Sequence, residues 1–355
     1  MTALKTDGTL WSWGSSSVGQ LGTGITTRNS PVQIGTDTDW AFVHSGGSTT
    51  LAIKTNGTLW GWGYNNWYQL GLGNVTAKSI PVQIGTATDW ASAFVGAYHV
   101  LALKTTGALW SWGNNGDGQL GIGNRVDRST PGQVGTLSNW SMITVKDNLS
   151  FAIKTDKTLW FWGYQDSEWM LSGLGTSVSR SSPVQVGVVS TWNQVSVGTQ
   201  GPLALRDDHS LWSWGRPING ALAVTYQSPI QIGTQTNWAD VFAGLGDHVF
   251  ALRTTGALWA WGCNDDGEIG SGATYAADAS PIQIGTLTNW SQLVVGDGFS
   301  AALKKDGSVW SWGLNASGQL GDGSTNSRSS PVQVGGSFTW SVISAGTAHL
   351  SGVKK

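Results

Sequence analysis

Apolar and polar residues alternate in short runs along this chain, and the alternation has the period of a β-strand. In Thr9-Leu10-Trp11-Ser12-Trp13 the two-residue period puts Trp11 and Trp13 on one face and Leu10 and Ser12 on the other. A wall of paired indoles follows. Leu51-Ala52-Ile53-Lys54 alternates in the same way and runs into Thr55-Asn56-Gly57-Thr58, whose Asn-Gly pair favours a tight hairpin turn. Asp7-Gly8, Thr106-Gly107 and Asp306-Gly307 repeat that turn signal.

The pattern recurs as a unit. Trp-x-Trp-Gly opens at Trp11, Trp60, Trp110, Trp160, Trp212, Trp259 and Trp310, in steps of 49, 50, 50, 52, 47 and 51 residues. The shared template reads Leu-Ala-Leu-Lys-Thr-x-Gly-x-Leu-Trp-Ser-Trp-Gly, then a Gly-Gln-Leu-Gly loop, Pro-Val-Gln-Ile-Gly, a lone Trp and a short alternating stretch. Four strands per unit are predicted. Pro31, Pro81, Pro131, Pro183, Pro229, Pro281 and Pro331 each open the strand after the long loop, where a missing N–H suits an outer edge. Each proline lies nine residues before one of Trp40, Trp90, Trp140, Trp192, Trp238, Trp290 and Trp340. From motif glycine to proline, by contrast, the gap ranges from 14 to 20 residues. One loop per unit therefore varies on a constant scaffold, and such loops are where binding usually resides.

Units of this period cannot bury their faces alone and must stack. Ala3-Leu4-Lys5 at the start occupies the same phase as Gly352-Val353-Lys354, 349 residues or seven periods later. Both ends then belong to one unit, with the C-terminus supplying inner strands and the N-terminus outer ones. Closure of that kind removes the exposed edges of an open array. The expected fold is all-β, a seven-bladed β-propeller of four-stranded repeats forming one domain over residues 1–355. Which of the two overlapping terminal strands fills the closing blade stays open.

Gly113-Asn114-Asn115-Gly116-Asp117-Gly118-Gln119-Leu120-Gly121, Gly313-Leu314-Asn315-Ala316-Ser317-Gly318-Gln319-Leu320-Gly321 and Ala345-Gly346-Thr347-Ala348-His349 carry a family pattern. They resemble the regulator of chromosome condensation repeat, Trp-Gly-x-Asn-x-x-Gly-Gln-Leu-Gly followed by Pro-x-x-Val and Ala-Gly-x-x-His, over essentially the whole chain. The resemblance implies the propeller but spans many functions: exchange factors for a small GTPase, a plant ultraviolet receptor, a bacterial β-lactamase inhibitor, and bacterial and phage repeat proteins. The fifth unit departs from it with Gly220-Ala221-Leu222-Ala223, and the His position becomes Thr49, Leu149, Gly201 and Phe299 in four units. The exchange factor that names the family carries a basic N-terminal tail and charged loops, whereas this chain begins inside a strand with Lys5 only. The plant receptor sets Arg beside its indoles in a Gly-Trp-Arg-His-Thr context. Here the lone tryptophans are followed by Ala, Ser or Asn, so the indoles read as packing.

Charge narrows the partners. Charged residues make up 11% of the chain and the net charge is −2, with no Lys/Arg run to neutralise phosphates, so neither nucleic acid nor an anionic membrane is expected. No signal-peptide core or run of 18 apolar residues occurs, so membrane insertion is not expected either. Cys263 is the single cysteine, which precludes an intrachain disulfide and a redox Cys pair. His99, His248 and His349 share one repeat position and are assigned to backbone hydrogen bonding, whereas His44 and His209 are isolated. No catalytic constellation or metal-ligand spacing emerges, so an enzyme, a metal and a cofactor are all unexpected. Asn264-Asp265-Asp266-Gly267-Glu268, the densest acidic loop, lacks the alternating ligands of a calcium loop and reads as a turn.

Twenty-one of the 23 tryptophans fit the lattice. Trp67 and Trp169 do not, and both fall in the variable loop. Loop Trp and Tyr are the residue types that anchor interfaces; Tyr64, Tyr68, Tyr164, Arg216, Tyr226 and Tyr275 belong to the same loop class. Together they form the candidate binding set. The expected function is a non-catalytic propeller presenting loops to protein or glycan, as a structural or adhesive part of a phage or bacterial assembly. A virion or extracellular location is favoured over the cytoplasm. The alternatives carried forward are a nucleotide exchange factor and an enzyme-inhibiting scaffold.

Overall fold

Every Trp-x-Trp-Gly segment forms the third strand of an antiparallel sheet in the computed structural model, which describes residues 1–165, 170–199, 201–216, 225–244, 246–335, 338–346 and 350–351. In the second blade Trp40–Gly46, Thr49–Lys54, Leu59–Gly63 and Lys78–Gln83 lie side by side in chain order. Five more four-stranded sheets repeat that order, and one sheet of five strands closes the ring. All seven prolines sit in the fourth, outermost strand, where no ladder hydrogen bond is forfeited.

Closure follows the expected plan with one resolution. In the closing sheet the order is Leu350–Ser351, Trp340–Ala345, Thr2–Lys5, Leu10–Gly14, Arg28–Gln33. The N-terminal strand takes the contested second place, pairing Thr2 with Ser344 and Leu4 with Val342. The C-terminal strand is displaced to the far side of Trp340–Ala345, where Ser351 faces Ser344. Gly352-Val353-Lys354 lie outside the described residues. Ala3 and Leu4 are buried, and Leu4 packs with Trp40, Val43 and Trp62 of the next blade.

The core lies between blades. Leu101, Leu109 and Val134 of the third blade meet Trp140 and Trp162 of the fourth; Leu10 and Ile34 of the first meet Trp40 and Trp62 of the second. The leucine face of one sheet thus packs on the indole wall of the next, each buried side chain contributing roughly 1.5–3 kcal/mol. The inner Trp of the motif also reaches back: Trp162 Nε1 donates to the Gln119 carbonyl at 2.9 Å and Trp112 Nε1 to that of Gln69 at 2.9 Å. This contact explains the last glycine of Gly-Gln-Leu-Gly. At Gly121, with φ +70°, a Cβ would stand 2.7 Å from Trp162 Nε1.

The first strands surround a central cavity of about 150 Å³, lined by His44, Phe94, Thr144, Gln194, Asp240 and Gln292 among others. Glutamine side chains there stitch blades together as an extra peptide unit would. Gln194 Oε1 accepts the Val241 N–H at 3.3 Å while its Nε2 donates to the Val241 carbonyl at 3.2 Å. Gln292 bonds both backbone groups of Ile343 likewise, at 3.1 and 3.2 Å. No helix among the described residues is long and apolar enough to cross a membrane.

Candidate functional site

One buried asparagine organises the long loop between third and fourth strands. Asn115 Oδ1 accepts the Leu120 N–H at 3.0 Å, and its Nδ2 donates to the carbonyls of Asn124 and Val126 at 3.0 Å each. Asn65 and Asn315 do the same in their blades. Away from water such bonds are not competed for. At the tip, Gln69 Oε1 accepts the Trp67 N–H at 2.9 Å. The loop then docks on its neighbour, with Gly73 N–H donating to Ser129 O at 2.9 Å and Gly123 N–H to Ser181 O at 2.7 Å. Each such loop is thereby tied both to itself and to the next blade.

On that frame the second blade departs from the repeat. Tyr68 occupies the place taken by Gly118, Gly267 and Gly318 elsewhere and adopts φ 63°, a left-handed conformation that costs an L-residue about 1–2 kcal/mol. Met170 does so at the matching place in the fourth blade, with φ 48°. Strain of this kind tends to persist where function uses it. Trp67, 42% exposed, meets Tyr98 of the third blade, 41% exposed, at a centroid distance of 6.0 Å. Tyr98 was not in the candidate set; its signal is a tyrosine at an inner turn where other units carry Ser48, Asn148, Asp247 or Gly298. Tyr64 is half-buried and Tyr164 is 42% exposed. Both follow the motif glycine and donate their N–H to the adjacent inner turn, at Ser48 and Asn148.

The remaining candidates separate from this group. Tyr226 and Tyr275 are not loop residues: they open the outer strands Tyr226–Gln231 and Tyr275–Gln283, because the ladder extends to Gly215↔Tyr226 and Asn264↔Tyr275. Tyr226 packs against the cluster containing Phe161 and Trp214, and the Tyr275 hydroxyl donates to Asp278. Arg216 is exposed directly after the fifth motif glycine. Trp169 lies outside the described residues.

A second constellation, on the opposite face, went unassigned in the sequence. A β-bulge after each lone Trp sets it across from the cation that ends the second strand: Trp40↔Lys54, Trp90↔Lys104, Trp140↔Lys154, Trp192↔Arg206, Trp238↔Arg253, Trp290↔Lys304 and Trp340↔Lys5. Each cation lies over indoles, with Lys104 Nζ 3.7 Å from the Trp90 ring and Arg206 3.5 Å from that of Trp212. The cation comes from the neighbouring strand rather than from the residue after Trp. The repeated Lys of the template was its signal.

Titratable groups inside the ring serve the scaffold. His99 Nε2 lies 2.9 Å from Ser150 Oγ, which donates to the Gln119 carbonyl at 2.8 Å; His248, Ser300 and Glu268 O repeat that relay. The partner is therefore a hydroxyl of the next blade, not backbone alone as expected. His44, read as isolated, accepts the Val95 N–H at Nδ1, 3.3 Å away. Burial lowers all three to about 3, so they are neutral near pH 7. His209 Nδ1 lies 2.9 Å from the Trp238 carbonyl. Burial pushes the Cys263 thiol up to about 12, far from a nucleophilic thiolate. In the acidic loop Glu268 accepts the Asp266 N–H at 2.8 Å, as the glutamines of other loops do for theirs; among the described residues no three His, Cys, Asp or Glu stand as a metal-holding group.

Regulator of chromosome condensation (RCC1) repeats match residues 7–53, 56–103, 106–153, 255–303 and 306–351. The chain belongs to the RCC1 repeat family. A second form of the RCC1 repeat matches residues 90–119, 238–268 and 290–319. The RCC1 propeller runs on through the unmatched residues 154–237, where Leu171 takes the Gln place of the loop and its carbonyl still accepts the Trp214 N–H at 2.9 Å. Over 152 residues, 40% of this chain and 15% of the relative, it is 35% identical to the human probable E3 ubiquitin-protein ligase HERC6. Over 170 residues, 45% of this chain and 38% of the relative, it is 31% identical to the ultraviolet-B receptor UVR8 of Arabidopsis thaliana. In structure it is similar to yeast RCC1 (Prp20), seen bound to Kap60, with a TM-score of 0.83, 19% identity and coverage of 94% of this chain and 85% of that one. Human WBSCR16 gives 0.80 at 22% identity over 92% and 94%. At those identities the structural likeness establishes the RCC1 fold.

Proposed function

We propose that this RCC1-repeat propeller is a non-catalytic binding module that presents its long loops to protein, as a structural or adhesive part of a phage or bacterial assembly. The exposed Trp67, with the strained and half-buried Tyr68 beside it, carries the reading. A loop held by Asn65 and Gln69 accepts a left-handed tyrosine where the repeat supplies glycine, and next to it Trp67 faces solvent together with Tyr98. Family membership supports a protein partner: yeast RCC1 is seen with Kap60, and its binding to Gsp1p and histones has been described. The low charge, the regular repeats and the use of the buried histidines as inter-blade ties favour a structural role over chemistry.

Native mass analysis of the protein taken from its source, with every co-isolating chain identified, tests this. Virion or envelope proteins in fixed ratio are expected; a lone monomer would refute the assembly role. The likeness to yeast RCC1 supports a second reading, nucleotide exchange on a small GTPase. Accelerated nucleotide release by catalytic amounts of the chain would replace the structural reading.

A further inference from the structure

The loop face is divided. Among the described residues its exposed large apolar side chains are Ile25, Trp67, Val75, Tyr98, Val126, Tyr164 and Val178, all on the first four blades. The sector formed by the sixth and seventh blades instead carries Asp247, Asp265, Asp266, Glu268 and Asp297. Those carboxyls crowd one another: burial raises Asp297, and Asp247 and Asp266 raise it further against the pull of Lys146.

The cations of the apolar sector are also set apart. Arg28, Lys78, Arg128 and Arg180 begin the outer strands of the first four blades, and Arg125 precedes Val126. None of these makes an ion pair among the described residues, whereas the equivalent Arg328 of the seventh blade is held by Asp322 at 2.9 Å. Aliphatic and cation are brought together at two junctions. Gly24 N–H donates to Ser79 O at 3.0 Å, which sets Ile25 near Lys78; the Gly73–Ser129 bond sets Val75 near Arg128. Exposed aliphatic and aromatic side chains rimmed by cations that lack a carboxylate partner mark an interaction surface.

We propose that the loop face of the first four blades is a docking surface for an acidic protein. Apolar groups of that partner rest on Trp67, Tyr98 and the aliphatic rim, and its carboxylates pair with Lys78, Arg125 and Arg128. The acidic sector of the sixth and seventh blades repels the same partner and so fixes its orientation. The inference rests on the protein-binding reading above and adds the face and the partner's charge. A neutral glycan would use the Trp67–Tyr98 pair but neither the aliphatics nor the cations. An anionic bilayer would use both the aliphatics and the cations, and binding of vesicles in place of peptide is the outcome that separates it from a protein.

The test is selection from a displayed random-peptide library on the whole chain, followed by titration of the enriched peptides. The variants are W67A/Y98A, K78E/R125E/R128E and, on the opposite face, L137S/V188S, each checked for unchanged circular dichroism and thermal midpoint. Enrichment of Asp and Glu alongside aromatic or aliphatic residues is expected. Affinity should fall about tenfold or more in each of the first two variants, as for interface anchors, weaken with salt, and hold in the third. Basic or uncharged winners, or indifference to the charge reversal, overturn the partner chemistry. Loss confined to L137S/V188S overturns the face yet leaves protein binding standing. Failure to enrich any peptide overturns the inference, while co-isolation from the source still decides the parent reading. Phosphatidylglycerol vesicles and maltoheptaose are titrated in parallel; Trp67-dependent binding of either one in place of peptide overturns it as well.

Discussion

At the scale of single residues the repeats act as controls for one another. In five blades the first Trp of the motif donates its N–H to a hydroxyl two residues earlier, as Trp160 does to Thr158 at 2.8 Å, and an acid or amide such as Asp156 holds that hydroxyl. In the third and sixth blades the hydroxyl is replaced by Ala108 and Ala257, and the buried Trp110 and Trp259 N–H groups have no protein acceptor. Replacing Ala108 by Thr together with Thr106 by Asp should raise stability by about 0.5–1.5 kcal/mol, read as a higher denaturant midpoint. Tyr68→Gly tests the strained tip. It should stabilise the fold by about 1 kcal/mol by releasing a left-handed tyrosine and weaken capture of partners, a pairing that a purely structural tyrosine would not produce.

At the scale of elements, the junction between blades is the cooperative unit. Gly121→Ala would strain a positive φ and drive a methyl into Trp162, so a loss of about 1–3 kcal/mol is expected in a chemical-denaturation curve; an unchanged midpoint would mean that the loop moves freely. Lys104 lies between Trp90 and Trp110, 6% of its side chain exposed, and ion-pairs with Asp89. Lys104→Met keeps the aliphatic stem and removes the cation, and should cost about 0.5–2 kcal/mol. Near-UV circular dichroism should report the disturbed indoles. The strands and their hairpins were legible from alternation and turn residues because those signals are local. The repeated Lys is visible in the template, but its place over the indole was not legible, since the bulge that aligns Trp90 with Lys104 has no local sequence signature.

At the scale of the whole molecule, acid should loosen the ring. His44, His99 and His248 are held neutral by burial at about 3, whereas in the unfolded chain they titrate near the ordinary value of about 6.5. Below that value the unfolded state binds more protons. Their contribution is therefore full above pH 6.5 and is lost as pH falls toward 3, at about 1.4 kcal/mol per pH unit for each histidine. The turn carboxylates Asp7, Asp156, Asp208 and Asp306, lowered by bonds to the adjacent hydroxyls, lose theirs only below the carboxylate range. Thermal midpoints between pH 6.5 and 4.5 lie above the range of these carboxylates; the buried Met1 amino group, lowered to about 4, adds to the slope there and the raised Glu268 and Asp297 oppose it, so the histidine share is read from the variant: His99→Gln should flatten the slope. A slope unchanged by the variant would refute the assignment.

Period, strand alternation, edge prolines and the phase of the two termini together determined a seven-bladed ring, because propeller blades are copies whose local signals reinforce one another. Trp67 and Tyr164 were legible as loop aromatics for the same reason: they break the copy. Only the tertiary structure decided that Thr2–Lys5 and not the C-terminal copy fills the closing blade, since both carry the same pattern and the choice lies in which one buries its apolar side chains against Trp40 and Trp62. It also withdrew Tyr226 and Tyr275 into outer strands, and joined Trp67 to Tyr98 across 31 residues and a blade boundary. Proximity between blades depends on the curvature of the ring, and no single repeat encodes that curvature.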